Sequence, residues 1–302
     1  VKSALALLIL PNHYPNMLVL ETGADRPGDL ARILRMATPE AVVVTRLPDI
    51  PVHVEAYTSP ENVREEEFSP AYALAADLPL IIPADDLYAR DMAVRTPAHI
   101  VSYGFTADAN VRISDADFYE HEGKVVGMQA NMSMDGEDTQ FVVHSSVGKT
   151  QLLPVAAAFA VARAFQIPFS EAHEALAEYK PPAGRCRLLA GVNDSIIIDD
   201  SYNASPVAVE EALATLKMFP HANRRIAVLG DMLELGRYSA MEHERISALA
   251  NESADMIVTV GIRARAFGVV RAGAEVVSFD NAHAAASALP ALIRAGDVVL
   301  VK

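Results

Sequence analysis

The amino-acid sequence predicts an α/β protein in two parts: a first half mixing a parallel sheet with antiparallel hairpins, and a second half folded as a doubly wound, Rossmann-like sheet. Three observations carry this. Short apolar, β-branched runs alternate with helical patterns throughout the second half. Two of these runs end abruptly in acidic, glycine-containing loops: IIIDDSYNASP over residues 196–206 and IAVLGDMLELG over 226–236. Residues 98–143 change character, with alternating segments about a His121-Glu122-Gly123 turn, as antiparallel hairpins require. At 302 residues, 51% hydrophobic and 21% charged, the chain can fill two cores and is not disordered.

In the first half, residues 17–20 read as a buried strand. Residues 27–36 read as a helix with Leu30, Ile33 and Leu34 on one face, and 41–45 (AVVVT) as a second strand, joined by a parallel crossover. Residues 80–82 form a short strand ending in Asp85 and Asp86. Helices are expected at 152–165 and 169–179. Lys180-Pro181-Pro182-Ala183-Gly184 then breaks all periodicity and separates a domain at 1–183 from one at 184–302.

In the second half, strands are expected at 195–198, 225–229, 256–260, 275–279 and 297–301, with helices between them. The first of these helices is the best specified. Ser205 is its N-cap, Pro206 takes the first helical position, and Val209, Ala212, Leu213 and Leu216 form its buried stripe.

Composition excludes several functions. A formal charge of −14 without a basic patch argues against a nucleic-acid partner. Cys186 is the single cysteine, so an intramolecular disulfide is impossible and a cysteine zinc site is not expected; a small packed thiol in a reducing cytoplasm fits. No apolar run approaches the ~20 residues that span a bilayer, so membrane insertion is not expected. Residues 4–10 faintly resemble a signal-peptide core, but Pro11-Asn12-His13-Tyr14 follows in place of a small-residue cleavage site. Val1 at the start leads us to expect that the natural chain begins elsewhere.

The candidate chemistry clusters at predicted strand ends, where open α/β sheets bind ligands. Asp199-Asp200-Ser201-Tyr202-Asn203 offers carboxylates for sugar hydroxyls and a ring for packing; a polar turn leading to the Ser205 cap is the alternative. Arg185 would reach phosphate or ribose, or form a structural salt bridge. Asp231 projects from the turn after the second of these strands, where Met232 and the leucines are expected to pack and His243 to be solvated. Glu21 and His53 would hold a divalent ion at one sheet edge, although magnesium prefers oxygen ligands; otherwise Glu21 caps a helix and His53 lies on a loop. Ser146-Val147-Gly148-Lys149-Thr150 imitates the tail of a phosphate loop, but the glycine required five residues before Gly148 is Val143. It is read as a connecting segment. A nicotinamide-dependent oxidoreductase would also use a doubly wound sheet, but no G-x-G-x-x-G follows a strand.

These residues together resemble the Mur ligase family. The matching stretches are LVLETGADRPGDL (18–30), PVHVEA (51–56), GRCR (184–187), IIDDSYNASP (197–206) and VLGDMLELG (228–236). The last two are similar to the branch that joins D-alanyl-D-alanine to UDP-MurNAc-tripeptide. The resemblance implies a central ATPase-like domain at 1–183, truncated at its N-terminus, and a ligase domain at 184–302. It implies an ATP-dependent amide-bond ligase of peptidoglycan precursor synthesis, cytoplasmic and monomeric. ATP would phosphorylate the tripeptide carboxylate, and the dipeptide amine would attack the acyl phosphate.

By the same resemblance Glu21 and His53 are catalytic, magnesium-site residues. Glu67 falls where the family carries a carbamylated lysine and would supply a carboxylate directly. Asp200 holds the nucleotide ribose, Arg185 contacts the nucleotide, Tyr202 and Asn203 line its pocket, and Asp231 and Glu234 meet substrate. The family's phosphate loop and sugar-binding domain are expected upstream of Val1, and a glycine-serine loop and final helix beyond Lys302. Its two adenine-side asparagines fall at Gln151 and Pro154, and two others near Arg46 and Pro83. Residues 1–302 alone are therefore not expected to turn over. A homologue that keeps the fold for binding or assembly, and another Mur-type ligase, are the alternatives.

Overall fold

The computed structural model describes residues 16–268 and 274–302. Its elements run α1 (Asp29–Leu34), β1 (Val42–Val43), α2 (Pro60–Tyr72), β2 (Pro79–Pro83), α3 (Leu87–Ala93), β3 (His99–Gly104), β4 (Val111–His121), β5 (Lys124–Met134), β6 (Glu137–His144), α4 (Leu153–Ala164) and α5 (Phe169–Leu176). Then follow β7 (Arg187–Ala190), β8 (Ile196–Asp199), α6 (Pro206–Met218), β9 (Arg224–Gly230), α7 (Ser239–Ser253), β10 (Met256–Val260), β11 (Glu275–Phe279), α8 (Ala282–Leu292) and β12 (Asp297–Val301).

The first sheet has the order β1-β2-β3-β4-β5-β6. Its first four strands are parallel neighbours; β4, β5 and β6 form an antiparallel meander. The expected hairpin turn is present: His121 pairs with Lys124, and the two intervening residues, Glu122 and Gly123, both have positive φ (51° and 73°), as a tight primed turn demands. β3, read with the hairpins from sequence, is instead a parallel strand buried beneath α4. Its alternation extends a pattern that period alone cannot assign to a direction.

The second sheet has the order β11-β10-β9-β12-β8-β7. All five expected strands form and are parallel. β7 adds an antiparallel edge that sequence reasoning missed; its RLLA is too short for a period. Only a short 3-10 turn, Ala264–Gly268, stands among the described residues between β10 and β11, where a full helix was expected. The Ser205 hydroxyl accepts the Ala208 N–H at 3.3 Å, and the predicted stripe of α6 is buried. On the opposite face, Ile226, Val228, Met256, Val258 and Val299 bury against the Leu289 side of α8.

The strand expected at 17–20 does not form. Met17, Leu18, Val19 and Leu20 are exposed and lack regular structure, because the sheet ends at the two-residue β1 and nothing described pairs beyond it. The helix that follows is shorter than its pattern. Gly28 adopts φ 87°, and the Glu66 carboxylate, reaching from α2, accepts the Gly28 and Leu30 N–H groups.

One apolar core runs through both sheets. Phe159 on α4 packs with Phe141 and Phe169, while Phe118 of β4 meets Phe219 just after α6 edge-on, with centroids 5.3 Å apart. Truncating Phe159 to alanine should therefore cost about 3–5 kcal/mol in denaturant unfolding. Leu18→Ser should stay within about 0.5 kcal/mol of wild type, because that side chain is already in water. A large cost at Leu18 would restore the missing strand.

Candidate functional site

The site is built around a turn. β8 buries Ile198 and delivers two acids at its carboxyl end. The second, Asp200, is only 6% exposed. Its Oδ1 accepts the Cys186 N–H at 3.1 Å, and its Oδ2 lies 2.5 Å from the buried Lys302 Nζ. Lys302 follows β12, the parallel neighbour of β8, in a register that pairs Val301 with Asp199. The first half of the chain grips the same turn. Ser146 Oγ donates to the Arg185 and Cys186 carbonyls at 2.8 and 2.9 Å, and Val147 N–H donates to the Cys186 carbonyl at 3.0 Å. Burial, with the Asp200 charge adding to it, pushes the Cys186 thiol far up. It is a packed group rather than a nucleophile.

Outward from this clamp, Arg185 and Tyr202 are exposed. The guanidinium carbon sits 4.2 Å from the Tyr202 ring centroid, a cation–π stack standing free at the strand ends. Gly184 permits it: its φ is 72°, and a Cβ there would come within 3.1 Å of the Tyr202 backbone nitrogen. Asn203 is exposed beside Tyr202, with its side-chain oxygen accepting the Ala204 N–H. Asp199 holds Ser201 through that residue's N–H and hydroxyl.

The loop after β9 is organised differently. Asp231 Oδ1 accepts the Ala264 N–H at 2.7 Å, against a Gly261 whose φ is 112°, so this carboxylate ties down the loop after β10. Met232 and Leu235 pack as expected; Leu233 faces solvent. His243, expected to be solvated, is buried and stacked on Phe267. It receives the Met232 N–H on Nε2 at 3.1 Å and faces the Ser239 carbonyl with Nδ1 at 2.7 Å, a pairing met by the neutral ring protonated on Nδ1. Its helical spacing concealed this.

His53 and Glu234 meet across the two halves. His53 Nδ1 is 2.8 Å from Glu234 Oε2, and its Nε2 is 3.4 Å from Asp25 Oδ1; both His53 and Glu234 adopt positive φ. Gly236 backs against Glu55 so closely that a Cβ would approach that side chain to 2.9 Å, and Arg237 reaches the Thr58 carbonyl.

The expected magnesium set is not assembled. Glu21 lies on the exposed segment that fails to become a strand, and both ring nitrogens of His53 already face carboxylates. Glu67 sits half-buried on α2, its carboxyl pushed up to about 7 by burial, with Arg64 opposing the shift. Among the described residues no group of three or more His, Cys, Asp or Glu side chains could hold a metal ion. Glu21, His53 and Glu67 therefore do not fit magnesium in this arrangement. The physical reason is the missing strand, which leaves Glu21 without a sheet edge to stand on.

The fold is thus two α/β lobes sharing one core, with a cation–aromatic stack at the strand ends of the second. Residues 2–162 match the Mur ligase middle domain, and residues 184–302 match the glutamate ligase domain of Mur ligases. The chain belongs to the Mur ligase family. It is 29% identical over 311 residues to the UDP-N-acetylmuramoyl-tripeptide–D-alanyl-D-alanine ligase of Mycobacterium bovis, an alignment covering 94% of this chain and 59% of that one. It is 26% identical over 259 residues to the ligase of the same name from Bacillus subtilis, covering 85% and 53%. Among solved structures it resembles the MurF ligase of Thermotoga maritima in complex with ADP, with a TM-score of 0.81 and 25% identity over 99% of this chain and 66% of that one. The chain thus spans a little over half the length of the curated relatives it matches.

Sequence reasoning named Asp200 but missed its partners. Neither the Cys186 N–H nor Lys302 was singled out as a partner, though Lys302 follows a predicted strand and one register step past Val301–Asp199 sets it beside Asp200.

Two outcomes follow from these environments. Lys302→Met strands a buried carboxylate and should cost about 3 kcal/mol in denaturant unfolding, whereas adding Asp200→Asn should recover much of that loss. Glu67, ordinarily near 4.5, binds its proton more tightly in the folded state, so its contribution is fully present below pH 4.5 and is lost as pH rises through about 7. Glu67→Gln should accordingly remove about 2 kcal/mol of stability loss between pH 5 and pH 8, read from denaturant midpoints. Identical pH profiles for the two proteins would rule out a buried Glu67.

Proposed function

We propose that the chain is the central and C-terminal part of an ATP-dependent amide-bond ligase that adds D-alanyl-D-alanine to UDP-MurNAc-tripeptide, a cytoplasmic step of peptidoglycan precursor synthesis. The observation that carries this reading is the Arg185–Tyr202 stack at the carboxyl ends of the second sheet, on a chain whose likeness to an ADP-bound MurF ligase covers 99% of this chain and 66% of that one. A guanidinium over an aromatic face offers a nucleotide both a cation for phosphate or ribose oxygens and a surface for a ring. Arg185, Tyr202 and Asn203 would hold the nucleotide, and Asp231 and Glu234, on the loop after β9, would meet substrate.

The chemistry ATP supplies when bound is a leaving group for an otherwise unreactive carboxylate. The chain's own part is to orient the partners between lobes joined by a shared core. Glu21, His53 and Glu67 form no metal-ligand group among the described residues.

That same dispersal supports a second reading: a homologue that retains the fold for binding or assembly without turnover. His53, whose two ring nitrogens face Glu234 and Asp25, is the observation in its favour.

An assay of ADP release by the product of the complete reading frame separates the two. Release that needs both UDP-MurNAc-tripeptide and D-alanyl-D-alanine supports the ligase, and Arg185→Ala should then raise the apparent KM for ATP about tenfold. A folded, verified product that releases no ADP with any precursor sinks the ligase reading in favour of the binding module.

A further inference from the structure

The loop after β9 reaches the first lobe through a short turn that carries an acid at one end and a base at the other. Glu234 has a φ of 64°, and its Oε2 lies 2.8 Å from His53 Nδ1. Leu235 is buried, and Gly236, at φ 50°, backs against Glu55 of the first lobe. Arg237 follows in the 3-10 turn Gly236–Tyr238, where the Tyr238 N–H donates to the Leu235 carbonyl at 3.0 Å. Two left-handed residues about a buried leucine fix the path of this turn, and with it the separation of Glu234 from Arg237.

The Arg237 guanidinium is oriented without being neutralised. Its Nη2 donates to the Tyr238 hydroxyl at 2.8 Å and to the Thr58 carbonyl of the first lobe at 3.4 Å, and the guanidinium carbon lies 5.0 Å from the Tyr238 ring centroid. Among the described residues no carboxylate pairs with it, although Glu234 and Glu55 flank the same turn. The side chain is exposed, and its Nε and Nη1 keep N–H groups for another acceptor. A cation held only by neutral oxygens retains its full charge for an anion. Glu234 likewise uses Oε2 toward His53, and its Oε1 faces no recorded donor among the described residues.

The spacing identifies the anion. Glu234 and Arg237 are three residues apart, at most about 11 Å along the chain and less through a turn, and the ammonium and carboxylate of an extended dipeptide lie about 7 Å apart. An acid and a base at that separation match a zwitterion end to end. We propose that Arg237 is the specificity residue for the free carboxylate of the incoming dipeptide, with Glu234 facing its ammonium. This rests on the ligase reading above and adds to it the group that selects an uncapped dipeptide.

The test compares wild type, Arg237→Gln and Arg237→Lys in the 302-residue chain. Each is titrated calorimetrically with D-alanyl-D-alanine and with D-alanyl-D-alaninamide, which keeps the amine and removes the carboxylate charge. Arg237 is exposed, so both variants should hold their denaturant midpoints. Wild type should bind the free acid about tenfold more tightly than the amide, Arg237→Gln should bind the two equally, and Arg237→Lys should keep part of the preference. In the complete reading-frame product, Arg237→Gln should raise the KM for the dipeptide about tenfold and leave kcat within about twofold.

The same preference in wild type and Arg237→Gln overturns the proposal. A wild-type chain that binds neither compound, joined to an unmoved KM in the complete variant, overturns it equally and leaves the ligase standing. A chain that shows the preference and loses it in Arg237→Gln, beside a complete product that releases no ADP, sinks the ligase reading and keeps the carboxylate site. Neither binding nor ADP release sinks both.

Discussion

The protein depends on one joint, the Cys186 turn. Its N–H is held by the Asp200 carboxylate from the second lobe, and its carbonyl is held by Ser146 and Val147 from the first. A single residue thus carries hydrogen bonds to both halves of the molecule. Lys302 closes the arrangement by neutralising Asp200 inside the structure. Buried polar groups of this kind are costly unless every partner is present, and here each has one. Beside the turn, Gly148 backs onto Thr215 of α6, and the apolar core passes uninterrupted from β4–β6 to the second sheet.

The joint determines what faces solvent. With the turn fixed from beneath, Arg185 and Tyr202 are left outside and stack on each other. The loop after β9 is fixed by a separate set of contacts, with Asp231 tying down the Ala264 turn and His243 holding Met232. Glu234, at a positive φ between these anchors, is directed to His53 on the first lobe. The contacts between the lobes thus include a buried joint and an exposed His53–Glu234 pair. Exposed ion pairs contribute little, so the His53–Glu234 contact adds little to the shared apolar core and the buried joint.

Much of the fold was legible because it follows from periodicity and turn chemistry. Ile196–Asp199 and Met256–Val260 are β-branched runs with abrupt ends, and Ser205-Pro206 announces α6; all three stand where expected. The failures have physical causes. Residues 17–20 have the composition of a strand, but a strand needs a neighbour, and β1 is the last one described. Glu21 follows directly on that exposed segment. For the site, residue identity located Arg185, Asp200 and Tyr202 at one sheet edge, yet it could not reveal which side chains point inward. Asp200 and Tyr202 are two residues apart in one loop, one buried against Lys302 and the other in water. That division is set by a lysine a hundred residues away, which no local pattern records.

The most direct test of this account is native-state hydrogen exchange at the Cys186 and Val147 amides, the two N–H groups that stitch the joint. They should exchange among the slowest in the protein, since the Val147 amide does not open without separating the lobes and the Cys186 amide does not open without releasing Asp200. Exchange at either amide as fast as in the exposed 17–20 segment would show that the turn is not clamped and would contradict the account at its foundation.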